Sequence, residues 1–153
     1  MSEKLERDIF SALSTTLENM AFMEVELEAE GAQTYPAEEI LVSRLLIHDP
    51  IQGELYLGMP KLLLRKIASS VYIMPEEEIS DQMVLDMVCE LINTVAGLFL
   101  NAYLPGDQTY SLGLPEEITD GQEDSPFEMK RWNYQVDNDL FSLVLAGDGF
   151  FDS

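Results

Sequence analysis

The stretch that most constrains this chain runs from Asp86 to Gly97, Asp-Met-Val-Cys-Glu-Leu-Ile-Asn-Thr-Val-Ala-Gly. At about 100° per residue, Asp86, Glu90, Asn93 and Gly97 fall within a narrow arc, while Val84, Met87, Leu91, Val95 and Leu98 gather on a broad arc turned away from it. This pattern predicts a long helix that packs one face and presents a carboxylate and a carboxamide on the other. Residues three apart on a helix lie about 5–6 Å from each other between Cβ atoms, so Glu90 and Asn93 can reach one external target together. Ser80, or the acids before it, is available to cap the start, and Pro105-Gly106 ends the helix after about Tyr103.

The rest of the chain supplies partners for that apolar face. From Glu3 to about Phe22, Leu5, Ile9, Leu13, Leu17 and Met20 recur at helical spacing. Glu24 to Glu30 alternates strictly, with Val25, Leu27 and Ala29 against four glutamates, which predicts a strand with one wet face. After the turn Gly31-Ala32-Gln33-Thr34-Tyr35-Pro36, Glu39 to Ile47 and Gln52 to Leu57 read as strands of an antiparallel hairpin closed by His48-Asp49-Pro50. Pro60 stands where a second, shorter helix begins, and this helix runs to about Tyr72. Its Lys61, Arg65 and Lys66 are the only basic cluster and read as its wet side.

Beyond the central helix, Thr109 to Leu114 is strand-like, and Pro115 to Pro126 has no periodicity and reads as a mobile loop. Glu128 to Val136 and Leu140 to Ala146 form a further pair of strands joined by Asp137-Asn138-Asp139. The sum is an α+β fold: a single domain over residues 1–153, with an antiparallel sheet of about six strands, two long helices and one shorter helix. A length of 153 residues suits one domain, and 46% apolar content suffices for a sizeable core.

Charge excludes partners more than it selects them. Against 29 acids stand 8 bases, a formal net charge of −21, so neither nucleic acid nor an anionic membrane surface is an expected partner. The N-terminus lacks the apolar run of a signal peptide, and no run approaches the roughly 18–20 apolar residues of a membrane span, so a cytoplasmic location is expected. One cysteine, Cys89, forms no internal disulfide and leaves no thiol-based metal site; it reads as a core or groove thiol.

A weak internal echo links the two ends. Ser14, Glu18 and Ala21, with Gly31-Ala32-Gln33-Thr34-Tyr35 downstream, parallel Asp86, Glu90 and Asn93, with Gly106-Asp107-Gln108-Thr109-Tyr110 downstream. Duplication accounts for the shared Gln-Thr-Tyr better than chance, and on that reading the first copy is disabled by Ala21.

Asp86, Glu90 and Asn93 at these spacings, followed by Ala96-Gly97 and then by Pro115, resemble the motif of the CheC/CheX/FliY family of chemotaxis phosphatases. With a single intact site the chain looks most like the CheX branch. Pro115 arrives one residue short of the family spacing, which bears on the geometry of that loop. The resemblance implies an aspartyl-phosphate phosphatase acting on a phosphorylated CheY-type response regulator. Asn93 would position the attacking water and Glu90 would dock the regulator's lysine, with Asp86, Gly97 and Pro115 in support. It implies no metal or cofactor bound by this chain, since the regulator brings its own Mg2+, and it implies a homodimer. The alternative is a non-catalytic response-regulator-binding or flagellar-switch-like interaction domain.

Without the resemblance, an exposed Glu and Asn on an amphipathic helix are ordinary solvated residues. Context speaks for the stripe: Asn is a poor helix former, and Gly97 one turn on costs about 1 kcal/mol relative to Ala. Gly97 either leaves room for a partner or serves close packing within the domain. Asp137-Asn138-Asp139 lacks the spacing of a calcium loop, Glu116-Glu117 has no pocket signal, and Met83 and Met87 read as core filling.

Overall fold

The computed structural model describes residues 2–106, 108–118 and 127–151. The leucine periodicity near the N-terminus produces α1 (Ser2–Ala21), which buries Leu5, Ile9, Leu13 and Leu17. A two-residue strand β1 (Glu26–Leu27) follows, then the hairpin of β2 (Ile40–Asp49) and β3 (Gly53–Pro60). Pro60 ends β3 and caps α2 (Lys61–Tyr72). The long α3 (Asp81–Tyr103) starts at Ser80, whose hydroxyl accepts a bond from the Met83 amide at 3.1 Å. Its apolar arc is buried at Val84, Met87, Leu91 and Val95, while Leu98 is half-buried. Short strands β4 (Ser111–Leu112) and β5 (Glu116–Ile118), the long pair β6 (Met129–Val136) and β7 (Asp139–Ala146), and a final turn of helix α4 (Asp148–Phe151) complete the chain.

All the strand pairs are antiparallel, in the order β1-β6-β7-β3-β2-β4, and β5 lies beside β4 on the same edge of β2. Strand side chains alternate between faces. Leu45, Leu55, Leu57, Leu143 and Leu145 therefore join the apolar faces of α1, α2 and α3 in the main core, whereas Val42, Tyr56 and Val144 form a smaller cluster on the opposite face. Ser43 lies on the helix-facing side, its hydroxyl 3.4 Å from the Val88 carbonyl of α3.

The sheet order is symmetric about the β7–β3 pair. The short strand after α1 borders β6, and the short strand after α3 borders β2, so each half of the chain completes the sheet edge of the other. This is the arrangement expected of the internal echo, although Asp107 of that echo lies outside the described residues.

Several elements differ from the sequence reading. The alternation across Glu24–Glu30 yields only β1, because it pairs with β6 at just two positions, Gln135 and Tyr134; Val25 is buried but Leu27 is 68% exposed. The strand predicted over Thr109–Leu114 shrinks to Ser111–Leu112. The first part of the predicted loop is instead β5, since Glu116, Glu117 and Ile118 register against Arg44, Ser43 and Val42 of β2; the remainder, 119–126, lies outside the described residues. The described sheet has seven strands rather than about six. The turn before β7 consists of Asp137 and Asn138, both at positive φ of 50° and 72°, which is the two-residue geometry that matches strand twist. Asp139 already belongs to β7, where it receives bonds from the Tyr35 hydroxyl at 2.5 Å and Lys66 Nζ at 3.2 Å. Arg65 bonds the Ile79 carbonyl and faces Asp81, so Arg65 and Lys66 serve the fold rather than a wet surface. Finally, α3 is long and apolar enough to cross a membrane by length and composition, contrary to the reading of its sequence, but its apolar face is committed to the core.

Candidate active site on the third helix

The polar stripe of α3 remains open because the helix packs through its other faces, against α1, α2 and β2. Asp86, Glu90 and Asn93 are all exposed. They line a shallow depression of about 370 Å3 together with Cys89, Leu114 and Pro115. Four of the five residues singled out from sequence thus meet in one place: Asp86, Glu90 and Asn93 along the helix, and Pro115 from the segment between β4 and β5. The spacing to Pro115 does not keep it from the site.

Gly97 is the exception. It sits one turn beyond Asn93, half-buried and outside the residues that line the depression. A Cβ placed there would meet only the Tyr110 hydroxyl at 3.5 Å, an ordinary contact. Close packing within the chain therefore does not require the glycine. Tyr110, the last residue of the second Gln-Thr-Tyr, makes a long contact from its hydroxyl to the Gly97 carbonyl, also at 3.5 Å.

Each side chain has a local reason for its position. Asp86 accepts a bond from Gln82 Nε2, one turn earlier, at 2.8 Å, which fixes it at the head of the stripe. Cys89 is half-buried beside it, packed against the edge of the main core and lining the depression. Burial first, and then the charges of Asp86 and Glu117, push its thiol above the ordinary value. Such a group is a poor nucleophile at neutral pH. The carboxamide of Asn93 offers both a donor and an acceptor, one turn from the carboxylate of Glu90. Together they can hold a water and a cation side by side, with no covalent step on this chain.

Pro115 owes its place to backbone pairing. Ser111 and Leu112 pair with Asp49 and Ile47, the Gly113 amide donates to the Leu46 carbonyl at 2.8 Å, and Glu116 pairs with Arg44. The residues between bulge toward the stripe. Leu114, which sequence reasoning passed over, is 89% exposed there. A large apolar residue beside a proline in an acidic segment was the signal that could have found it.

In the first half of the chain the corresponding helix positions have a different fate. Glu18 is exposed, but Ala21 is buried at 3% exposure, and its carbonyl accepts a bond from Ser70 of α2 at 3.0 Å. The place that Asn93 holds open in α3 is closed over in α1. Among the described residues, no group of three or more His, Cys, Asp or Glu side chains converges as a metal site would need.

The family model described as chemotaxis phosphatase CheX matches residues 42–134, which contain the whole depression. Among solved structures, the chain is similar to the CheX-CheY-BeF3-Mg+2 complex from Borrelia burgdorferi, with a TM-score of 0.72 at 16% identity over 92% of this chain and 96% of that one. The chemotaxis protein CheX from Vibrio vulnificus gives a TM-score of 0.72 at 13% identity, covering 94% and 95% of the two chains. The FliM middle domain from Vibrio alginolyticus gives 0.60 at 15% identity, covering 94% and 90%. No curated protein matches the chain in sequence. At these identities the solved structures establish the α+β fold.

Proposed function

The chain belongs to the family of the chemotaxis phosphatase CheX, and on that premise we propose that it is a single-domain, cytoplasmic phosphatase that removes the phosphoryl group from the aspartate of a CheY-type response regulator. The observation that carries this reading is the meeting of Glu90, Asn93 and Pro115 around one open depression on α3. A phosphoryl group in a loose transition state needs chiefly a water in line with the leaving oxygen and stabilisation of charge. Asn93 holds that water through its amide, which turns an encounter with solvent into a positioned attack. The water oxygen bonds to phosphorus, the bond from phosphorus to the aspartyl oxygen breaks, and inorganic phosphate leaves a free carboxylate on the regulator. Glu90 pairs with a regulator lysine in a charge-assisted contact that registers the two proteins. Asp86 and Pro115 shape the two ends of the depression. Mg2+ carried by the regulator offsets the phosphoryl charge; it belongs to the partner in this scheme.

A second reading rests on the likeness to the FliM middle domain: an interaction domain that binds a regulator without turnover. Mixing the chain with a CheY-type regulator charged by acetyl phosphate, in the presence of Mg2+, separates the two. The phosphatase reading expects faster loss of phosphate than the regulator shows alone. Binding without acceleration would replace it with the interaction domain.

The same reading carries a homodimer. Among the described residues β1 covers β6 only at Tyr134 and Gln135, and a sheet edge of that kind is a template for strand addition. A second copy adding along the beginning of β6 would extend the sheet. Sedimentation equilibrium should report twice the chain mass, and a monomer at all concentrations would remove the dimer from the proposal.

A further inference from the structure

Leu114 presents its whole side chain to solvent, 89% exposed, at the rim of the depression that holds Glu90 and Asn93. An exposed leucine is unremarkable on a floppy loop, where ordering it on contact would cancel much of the gain. This one is held at both ends. On its N-terminal side Leu112 pairs with Ile47 and the Gly113 amide bonds the Leu46 carbonyl at 2.8 Å. On its C-terminal side Pro115 leads directly into β5, where Glu116 pairs with Arg44 through the backbone and through a side-chain ion pair. Proline also restricts the residue before it to extended conformations, which leaves Leu114 little backbone freedom. Gly113 beneath it lies close against β2: a Cβ there would stand 3.4 Å from both His48 Nε2 and Leu46 Cβ.

From this arrangement we propose that Leu114 is a positioning residue, an apolar anchor that seats the regulator by entering an apolar recess beside its phosphorylated aspartate. The inference rests on the phosphatase reading for the identity of the partner. Its own content is that docking has an apolar component at a fixed place, next to the ionic contact of Glu90. On a surface dominated by acids, with a net charge of −21, an ionic contact alone weakens with salt. Apolar burial does not, so a contact at Leu114 holds the partner under conditions that weaken the contact of Glu90. Continuity with the depression selects the occupant: a partner that brings a phosphoryl group to Asn93 enters the depression that Leu114 also lines.

The test measures binding of a CheY-type regulator charged with beryllofluoride and Mg2+, alongside steady-state turnover of the acetyl-phosphate-charged form. Leu114→Ala should weaken binding and raise KM by about ten- to thirtyfold, the value of burying most of a leucine, with kcat at saturation changed less than about twofold. Leu114→Met, which keeps the apolar volume, should restore binding to within about threefold of the parent. The residue is exposed, so the thermal midpoint of each variant should match the parent, which separates docking from folding. Parent-like binding by Leu114→Ala, or a Leu114→Met variant as weak as the alanine, would overturn the anchor. If the parent binds the charged regulator and Leu114→Ala weakens it, while neither accelerates phosphate loss, the anchor stands and the phosphatase reading falls.

Discussion

Asn93, in the middle of α3, and Pro115, at the entrance to β5, line the same depression although the end of the helix and the whole of β4 lie between them in the chain. The helix supplies the polar groups, and the paired segment on β2 supplies a wall against which a partner can be registered.

Asn93→Ala removes the only carboxamide among the described residues that line the depression. If it positions the attacking water, kcat should fall by about a hundredfold or more, while affinity for the charged regulator changes less than about threefold. Single-turnover phosphate release read beside equilibrium binding distinguishes the two effects. Full activity in the variant would remove the water-positioning role.

Glu90→Ala should act on docking first. Loss of a charge-assisted contact is worth about 1.5–3 kcal/mol, or roughly ten- to a hundredfold in affinity. Binding by the parent should weaken as salt rises, and the variant should show a flatter dependence. An unchanged salt dependence would place the regulator's lysine elsewhere.

Cys89 reports on occupancy. Its thiol is raised by burial and by the nearby carboxylates, so at about pH 8 it should alkylate more slowly than a free cysteine. Because it lines the depression, saturating charged regulator should slow the reaction further. Mass spectrometry of the single cysteine gives both rates, and equal rates with and without regulator would argue that the partner docks away from α3.

Tyr56 governs part of the alkaline stability. Its hydroxyl donates to Glu54 Oε1 at 3.0 Å, and burial first, then that carboxylate, push its pKa from 10.0 to about 12. Across that window the unfolded chain has released the phenolic proton while the folded chain retains it, so stability falls as pH rises. Urea midpoints should therefore decline through this range, and Tyr56→Phe should flatten the decline. Tyr35, raised to about 12 chiefly by its bond to Asp139, should leave a residual slope.

The helices were legible because their signal is local. Leu5, Ile9, Leu13 and Leu17 recur at the period of a helix and are buried as that period requires, and the arc of Asp86, Glu90 and Asn93 stays open for the same reason. The hairpin of β2 and β3 and the pair β6 and β7 were legible from alternation and from the residues of their turns. The edge strands were not. Glu24 to Glu30 alternates as well as any strand, yet only two of its residues pair, because the length of an edge strand depends on the neighbour available to it.

The sequence by itself determined the two long helices and the shorter one between them, the hairpin pairs and the polar stripe of α3, all of which follow from side-chain periods within one segment. Only the tertiary structure decided that Leu114 and Pro115 stand beside that stripe. Their position depends on the hydrogen bonds of Gly113 and β5 to β2. Those bonds are made by backbone groups common to all residues but proline, so no pattern of side chains announces them. The same holds for Ala21: its identity, and the loss of the first copy that it implies, were plain in the chain, but its burial at the contact with Ser70 of α2 exists only once the helices have packed.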